Sequence, residues 1–138
     1  MGEDEKKLRL ARAIQMFMPG LPQVWYLDLF AGKNDYAAAD KGGIADHKEI
    51  NRTTLSMGDI EQGLKREIVQ DQLEIIRLRN TSPAFKGTLT ISNTDEYHLL
   101  LNWSNEGCTA TLNADLRDCC FSIVHTDNTS EENVMSFH

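Results

Sequence analysis

The sequence predicts an α+β fold: a helix, a buried strand, a long polar loop and a second helix, then a small antiparallel sheet. Two changes of hydrophobic period carry this. Apolar residues recur at helical spacing before residue 20 and again between residues 60 and 78, and after Ser82-Pro83 the period falls to two. Between the helical patterns, Leu21, Val24, Trp25, Tyr26, Leu27 and Leu29 form a near-continuous apolar run. A strand covered on both faces, as in a parallel sheet, reads this way.

The first helix is expected from Asp4 to Met18. Its acidic opening complements the positive end of the helix dipole, and Leu10, Ala13, Ile14, Phe17 and Met18 make one apolar face. Pro19 and Gly20 stop it. The strand Leu21 to Leu29 follows, punctuated by Gly20 and Pro22 at its start and broken by Ala31-Gly32-Lys33-Asn34-Asp35. The loop from Phe30 to about Gly58 exceeds the roughly 12–15 residues common in compact domains, and such loops are usually functional or disordered. In an α/β barrel a loop after a strand lies on the substrate face.

The second helix is expected from Gly58 or Asp59 to about Asn80, with Ser56 or Asp59 as cap and Glu61 in the first turn. Ile60, Leu64, Ile68, Ile75 and Leu78 form one stripe, and Val69, Leu73 and Ile76 lie nearly opposite. A helix with two apolar sides is wedged between two layers. Strands then follow at Phe85–Ser92, Tyr97–Trp103, Cys108–Asn113 and Cys119–His125, separated by turn-rich Asn93-Thr94-Asp95-Glu96 and Ser104-Asn105-Glu106-Gly107. Val134 and Phe137 can add an edge strand in the polar tail.

Composition narrows the function. Of 138 residues, 41% are hydrophobic and 25% charged, ordinary values that exclude global disorder. A formal net charge of -7 argues against a nucleic-acid partner and against an anionic membrane. No apolar run approaches the roughly 20 residues that cross a bilayer. Met1 to Lys7 lacks the apolar core of a secretion signal, and three cysteines, two of them adjacent, do not form a disulfide framework. These features point to a cytoplasmic chain with reduced thiols.

Chemical motifs are sparse. The chain has no Cys-x-x-Cys, no His-Glu-x-x-His and no phosphate-binding Gly-x-x-x-x-Gly-Lys-Ser/Thr. His47, His98, His125 and His138 lack metal-ligand spacing, so no metal and no cofactor are expected. Lys33-Asn34-Asp35 and Asp46-His47 could do acid–base work, though solvated loop charge is the commoner explanation. Trp25-Tyr26 is more often core than a sugar-stacking platform.

The segment Ala11-Arg12-Ala13-Ile14-Gln15-Met16-Phe17-Met18-Pro19-Gly20-Leu21-Pro22-Gln23-Val24-Trp25-Tyr26 resembles the seventh helix and eighth strand of glycoside hydrolase family 13. Ala31-Gly32-Lys33-Asn34-Asp35 and Glu49-Ile50-Asn51-Arg52 are similar to the sucrose phosphorylase branch of that family. The resemblance covers about Lys6 to Phe85 well and the β region loosely. It departs where the family commonly has a Tyr-Tyr-Gly-like strand ending and this chain has Trp25-Tyr26-Leu27-Asp28.

The resemblance implies that residues 1–81 are the end of a (β/α)8 catalytic barrel and residues 82–138 a small antiparallel β domain. It implies a parent that transfers a glucosyl group from an α-glucoside, sucrose-like or glucosylglycerate-like, to phosphate with retention. The family's catalytic carboxylates come from earlier barrel strands, so no catalytic residue is expected here. Arg52, with Asn51 beside it, matches the position that contacts glucosyl hydroxyls. Hydrolysis of an α-glucoside, or a free-standing carbohydrate-binding module, are the competing readings; the strands show no clear row of exposed aromatics for the latter. Cut from its sheet, the strand Leu21 to Leu29 is expected to drive self-association, with the first helix at the contact.

Overall fold

The computed structural model describes residues 4–33, 53–127 and 131–137. The first helix, α1 (Glu5–Phe17), starts where Asp4 accepts hydrogen bonds from the backbone N–H groups of Lys6 and Lys7 at 2.9 and 3.2 Å. Its face of Leu10, Ala13, Met16 and Phe17 is buried, and Arg12 is buried with it. It stops before Pro19 and Gly20, where Gly20 takes φ +103°, a conformation open to glycine.

The predicted strand Leu21 to Leu29 is not formed. Residues 21–25 run without regular structure, and Tyr26–Leu29 close a short helical turn, α2, with Leu29 N–H donating to Trp25 O at 3.0 Å. A strand exists only through a ladder to a neighbour, and among the described residues none lies beside this run. Side chains hold it instead. Arg79 donates to the carbonyls of Met18 and Gly20 at 3.2 and 3.1 Å, and Gln15 donates to Gln23 O at 2.7 Å. Trp25 and Tyr26, expected in the core, are 47% and 38% exposed.

The single second helix expected from Gly58 to Asn80 is two helices, α3 (Met57–Gly63) and α4 (Glu67–Thr81). Ser56 and Asp59 form a reciprocal capping box at the start of α3. The break follows Gly63, whose missing side chain admits Phe30: a Cβ there would stand 2.6 Å from the Phe30 ring. Arg66, in extended conformation, opens α4 and turns its guanidinium back to Phe30 O, Ala31 O and Glu5. Ile68, Val69, Ile75 and Leu78 of α4 are buried and Leu73 and Ile76 partly so, so this helix is covered on more than one side.

The meander forms as expected. After a 3-10 turn at Pro83–Lys86, strands β1 (Thr88–Ile91), β2 (His98–Asn105), β3 (Cys108–Asp115), β4 (Cys120–Thr126) and β5 (Glu132–Phe137) pair antiparallel in sequence order. Phe85 belongs to the turn, so the first strand starts later than its apolar pattern suggests. Leu101 and Trp103 of β2, Cys108, Ala110, Leu112 and Ala114 of β3, and Phe121 and Ile123 of β4 fill one face. That face packs on α1 and α4 in one core. Trp103 donates its indole N–H to Phe17 O at 2.7 Å, and the Arg79 guanidinium lies over the Phe85 and Trp103 rings at 4.6 and 5.1 Å. The apolar face of α1 is therefore covered within the chain.

Candidate functional site

The predicted substrate-binding pair, Asn51 and Arg52, lies outside the described residues, as do Asp35, Asp40, Asp46, His47 and Glu49. The structure does show both flanks of that segment. Thr53 Oγ1 donates to Lys33 O at 3.1 Å, and Tyr26 donates its hydroxyl to Thr53 O at 2.9 Å. Thr53 is bonded on one side to Lys33 and on the other to Tyr26, so residues 33 and 53 stand side by side.

Tyr26 owes its position to α2, and α2 is fixed from below. The Gln72 amide, 0% exposed, donates to Leu29 O at 3.0 Å and to Asp28 O at 3.3 Å, the latter a carbonyl that also accepts from Ala31 N–H at 3.1 Å. Its Oε1 accepts from Arg12 Nε at 2.9 Å. Arg12 also donates to Gln15 Oε1, and Gln15 reaches Gln23 O. Burial pulls the Arg12 pKa down from its ordinary value, and the nearby Asp28 carboxylate partly offsets this. At Gly32 a Cβ would meet Leu27 Cδ1 at 2.4 Å, so the chain leaving α2 passes too close to Leu27 for a larger residue.

This arrangement positions backbone. Asp28 is exposed, and the Ser56 hydroxyl, which donates to Asp59 Oδ2 at 2.6 Å, is engaged in the cap of α3. His98 Nδ1 lies 2.8 Å from an Asp95 oxygen and its Nε2 3.7 Å from Asp115, on the exposed side of the sheet. Among the described residues no group of three or more His, Cys, Asp or Glu could hold a metal. A cleft of about 530 Å³ runs between α4 and β5 and is lined by Glu67, Glu74 and the Arg9–Asp71 ion pair, whose charges meet at 2.5 Å.

Arg12 and Gln72 were not visible as site residues from the sequence, but a signal exists. Gln72 falls on the Ile68–Ile75 stripe of a helix, where a polar side chain must find buried partners.

No family model matches the chain. It is 59% identical over 125 residues to a sucrose 6(F)-phosphate phosphorylase of Ilumatobacter coccineus, a match covering 91% of this chain and 24% of that protein. It is 35% identical over 112 residues to a sucrose phosphorylase of Bifidobacterium adolescentis, covering 81% of this chain and 22% of the relative. Among solved structures, the sucrose 6F-phosphate phosphorylase from Thermoanaerobacter thermosaccharolyticum superposes with a TM-score of 0.88 at 34% identity, over 97% of this chain and 27% of that one. The chain spans about a quarter of the length of the relatives it matches.

Proposed function

Because this chain is a segment of a sucrose phosphorylase-like enzyme, we propose that residues 1–81 close that enzyme's (β/α)8 barrel and residues 82–138 form the small β domain after it. In the whole enzyme a glucosyl group passes from an α-glucoside to phosphate with retention of configuration. Retention requires a carboxylate nucleophile and a carboxylic acid/base flanking the sugar bond. In this reading both come from barrel strands other than those in this chain, and the chain contributes recognition. Arg52 donates a planar fork of hydrogen bonds to glucosyl hydroxyls, and Asn51 steadies it.

The likeness to the Ilumatobacter coccineus enzyme is the observation that carries this reading. The clasp of Thr53 by Tyr26 and Lys33 supports the role of Arg52, since it fixes the backbone at the next residue in sequence. Cytoplasmic residence is part of the proposal, supported by Cys119 and Cys120 standing outside any disulfide. Among the described residues no helix is long and apolar enough to cross a membrane. The isolated chain self-associates through the exposed run at Leu21 and Trp25.

The test is an activity assay on the complete reading frame that contains this chain, with phosphate and a panel of α-glucosides. Glucose 1-phosphate is the expected product. Free glucose at the same rate with and without phosphate would replace phosphorolysis by hydrolysis.

A further inference from the structure

The β3–β4 hairpin carries two thiols side by side. Strand β3 ends at Asp115, residues 116–119 make the turn, and β4 begins at Cys120, which pairs with Asp115. Neighbours within a strand point to opposite faces, but Cys119 stands before the strand and has left the extended conformation. Its φ is +55°, in the left-handed region that L side chains rarely adopt. Both sulfurs turn to carbonyls of the same turn, Cys119 Sγ to Leu116 O at 4.0 Å and Cys120 Sγ to Asp118 O at 3.6 Å. A non-glycine residue held in this conformation is a reason to look for function.

The two thiols differ in access. Cys119 packs against the hydrophobic core. Cys120 lines an open cleft of about 300 Å³ with His98, Asp115, Ser122 and Ser136, whose polar groups suit water and solutes of similar size. Neither sulfur is in a disulfide, and Cys108 is out of their reach. Cys108 is 1% exposed and starts β3 at the end opposite to Asp115, about 24 Å away at roughly 3.4 Å per residue.

We propose that Cys119 and Cys120 are a reversible peroxide-oxidation site that closes to a disulfide between neighbouring residues. The Cys120 thiolate attacks one oxygen of hydrogen peroxide and the O–O bond breaks. The leaving hydroxide takes up the proton lost by the thiol and departs as water, and Cys120 becomes a sulfenic acid. Cys119 Sγ then attacks the Cys120 sulfur, the S–O bond breaks, and a second water leaves with the Cys119 proton. Two thiols and one peroxide thus give one S–S bond and two waters. An accessible thiol with a resolving thiol beside it is the arrangement of redox-sensing cysteines.

Cα atoms of neighbouring residues lie about 3.8 Å apart, closer than the roughly 4.4–6.8 Å usual across a disulfide, so the closed ring is strained and readily reduced. Such a bond is a transient mark and not a structural bridge. The site is independent of the glucosyl-transfer reading.

The experiment treats the complete reading frame that contains this chain with graded hydrogen peroxide, blocks free thiols with iodoacetamide and digests with trypsin for mass spectrometry. Cleavage after Arg117 places Cys119 and Cys120 in a peptide that begins at Asp118 and leaves Cys108 behind. The expected product is that peptide short of two hydrogens, unlabelled by iodoacetamide, and returned to two free thiols by dithiothreitol. Cys119→Ser removes the resolving thiol, so Cys120 is expected to go on to sulfinic acid, which dithiothreitol does not restore. Cys120→Ser is expected to leave Cys119 reduced at peroxide doses that close the ring in the wild type.

Met57, 71% exposed, gauges the dose. Both thiols fully labelled at doses that convert Met57 to its sulfoxide would overturn the proposal. A bond from either sulfur to another cysteine or to a second chain, in place of the ring, would overturn it too. Oxidation of Cys119 in Cys120→Ser at the wild-type dose would overturn the division of roles between the two sulfurs.

Discussion

Arg12 and Gln72 meet in the buried layer between α1 and α4, with Nε donating to Oε1 at 2.9 Å and side chains only 5% and 0% exposed. The amide works at both ends: its oxygen serves a buried cation and its nitrogen serves the carbonyls of Asp28 and Leu29. Gln72→Leu removes both services and leaves the guanidinium without this acceptor. Hydrogen bonds to charged groups contribute about 1.5–3 kcal/mol, so a loss of that order is expected in urea unfolding. Gln72→Glu restores an acceptor for Arg12 but not the donor to α2, so it is expected to fall between the two. Equal stability of Gln72→Leu and wild type would mean that the pair is incidental.

The isolated chain is expected to form no glucose 1-phosphate from sucrose or any other α-glucoside, because in the reading proposed above the two carboxylates that retaining transfer needs lie outside this segment. A chromatographic assay for glucose 1-phosphate against a no-protein control checks it. Product above that control would place the chemistry inside these residues.

In the complete enzyme, Arg52→Ala is expected to lower kcat/KM by roughly 10- to 100-fold, the effect of losing about 1–3 kcal/mol of hydrogen bonding to substrate. The melting temperature should stay near that of the wild type. A variant with unchanged kcat/KM would return Arg52 to the surface.

Gly87→Ala tests the join between the 3-10 turn and β1. A Cβ at Gly87 would stand 1.9 Å from Ser104 O, a backbone atom of the neighbouring strand that cannot swing aside. Overpacking of this kind costs about 1–3 kcal/mol, and here the β1–β2 ladder must open to relieve it. Thermal unfolding at a temperature equal to wild type would show that the strands separate there at no cost.

Asp95 gives the chain an acid sensitivity. Its carboxylate accepts from Tyr97 N–H at 2.9 Å, contacts the His98 ring at 2.8 Å and accepts from His98 N–H at 3.0 Å; these bonds hold its pKa below the usual range. A depressed folded pKa stabilises the native state above the unfolded value of about 3.9, and this stabilisation is lost as pH falls through the folded one. The advantage of wild type over Asp95→Asn is therefore expected at neutral pH and should vanish on acidification below about pH 4. Urea midpoints measured across that range check it. A difference that persists undiminished in acid would mean that the carboxylate charge is irrelevant.

Much of the fold was legible because local chemistry and global packing agree. Asp4 ahead of Leu10, Ala13 and Phe17 announces α1, and the period-two strands with Asn93–Glu96 and Ser104–Gly107 between them announce the meander. The run at Leu21–Leu29 misled because an apolar sequence reports what a strand can bury and says nothing of whether a neighbour is present to pair with it. The helix break at Leu64–Arg66 was hidden for a related reason. Gly63 is only a weak interruption by propensity, and the Phe30 ring that exploits it comes from another part of the chain. The expectation for Arg52 rests on family resemblance alone, since no period or motif singles it out, and it lies outside the described residues. Arg12 and Gln72 each look ordinary alone, and their pairing spans 60 residues.

The bond from Trp103 to Phe17 crosses 86 residues of chain. Closing so long a loop adds little to the equilibrium cost, since each doubling adds only about 0.6 kcal/mol. Its consequence lies in time. During synthesis at roughly 5–20 residues per second, β2 follows α1 out of the ribosome by about 4–17 seconds. Throughout that interval Leu10, Ala13, Met16 and Phe17 have no sheet to cover them, and α1 spends it as a greasy helix in search of a surface. The helix α4, whose Ile75 and Leu78 share its core, is the first part of this chain to emerge that can cover it.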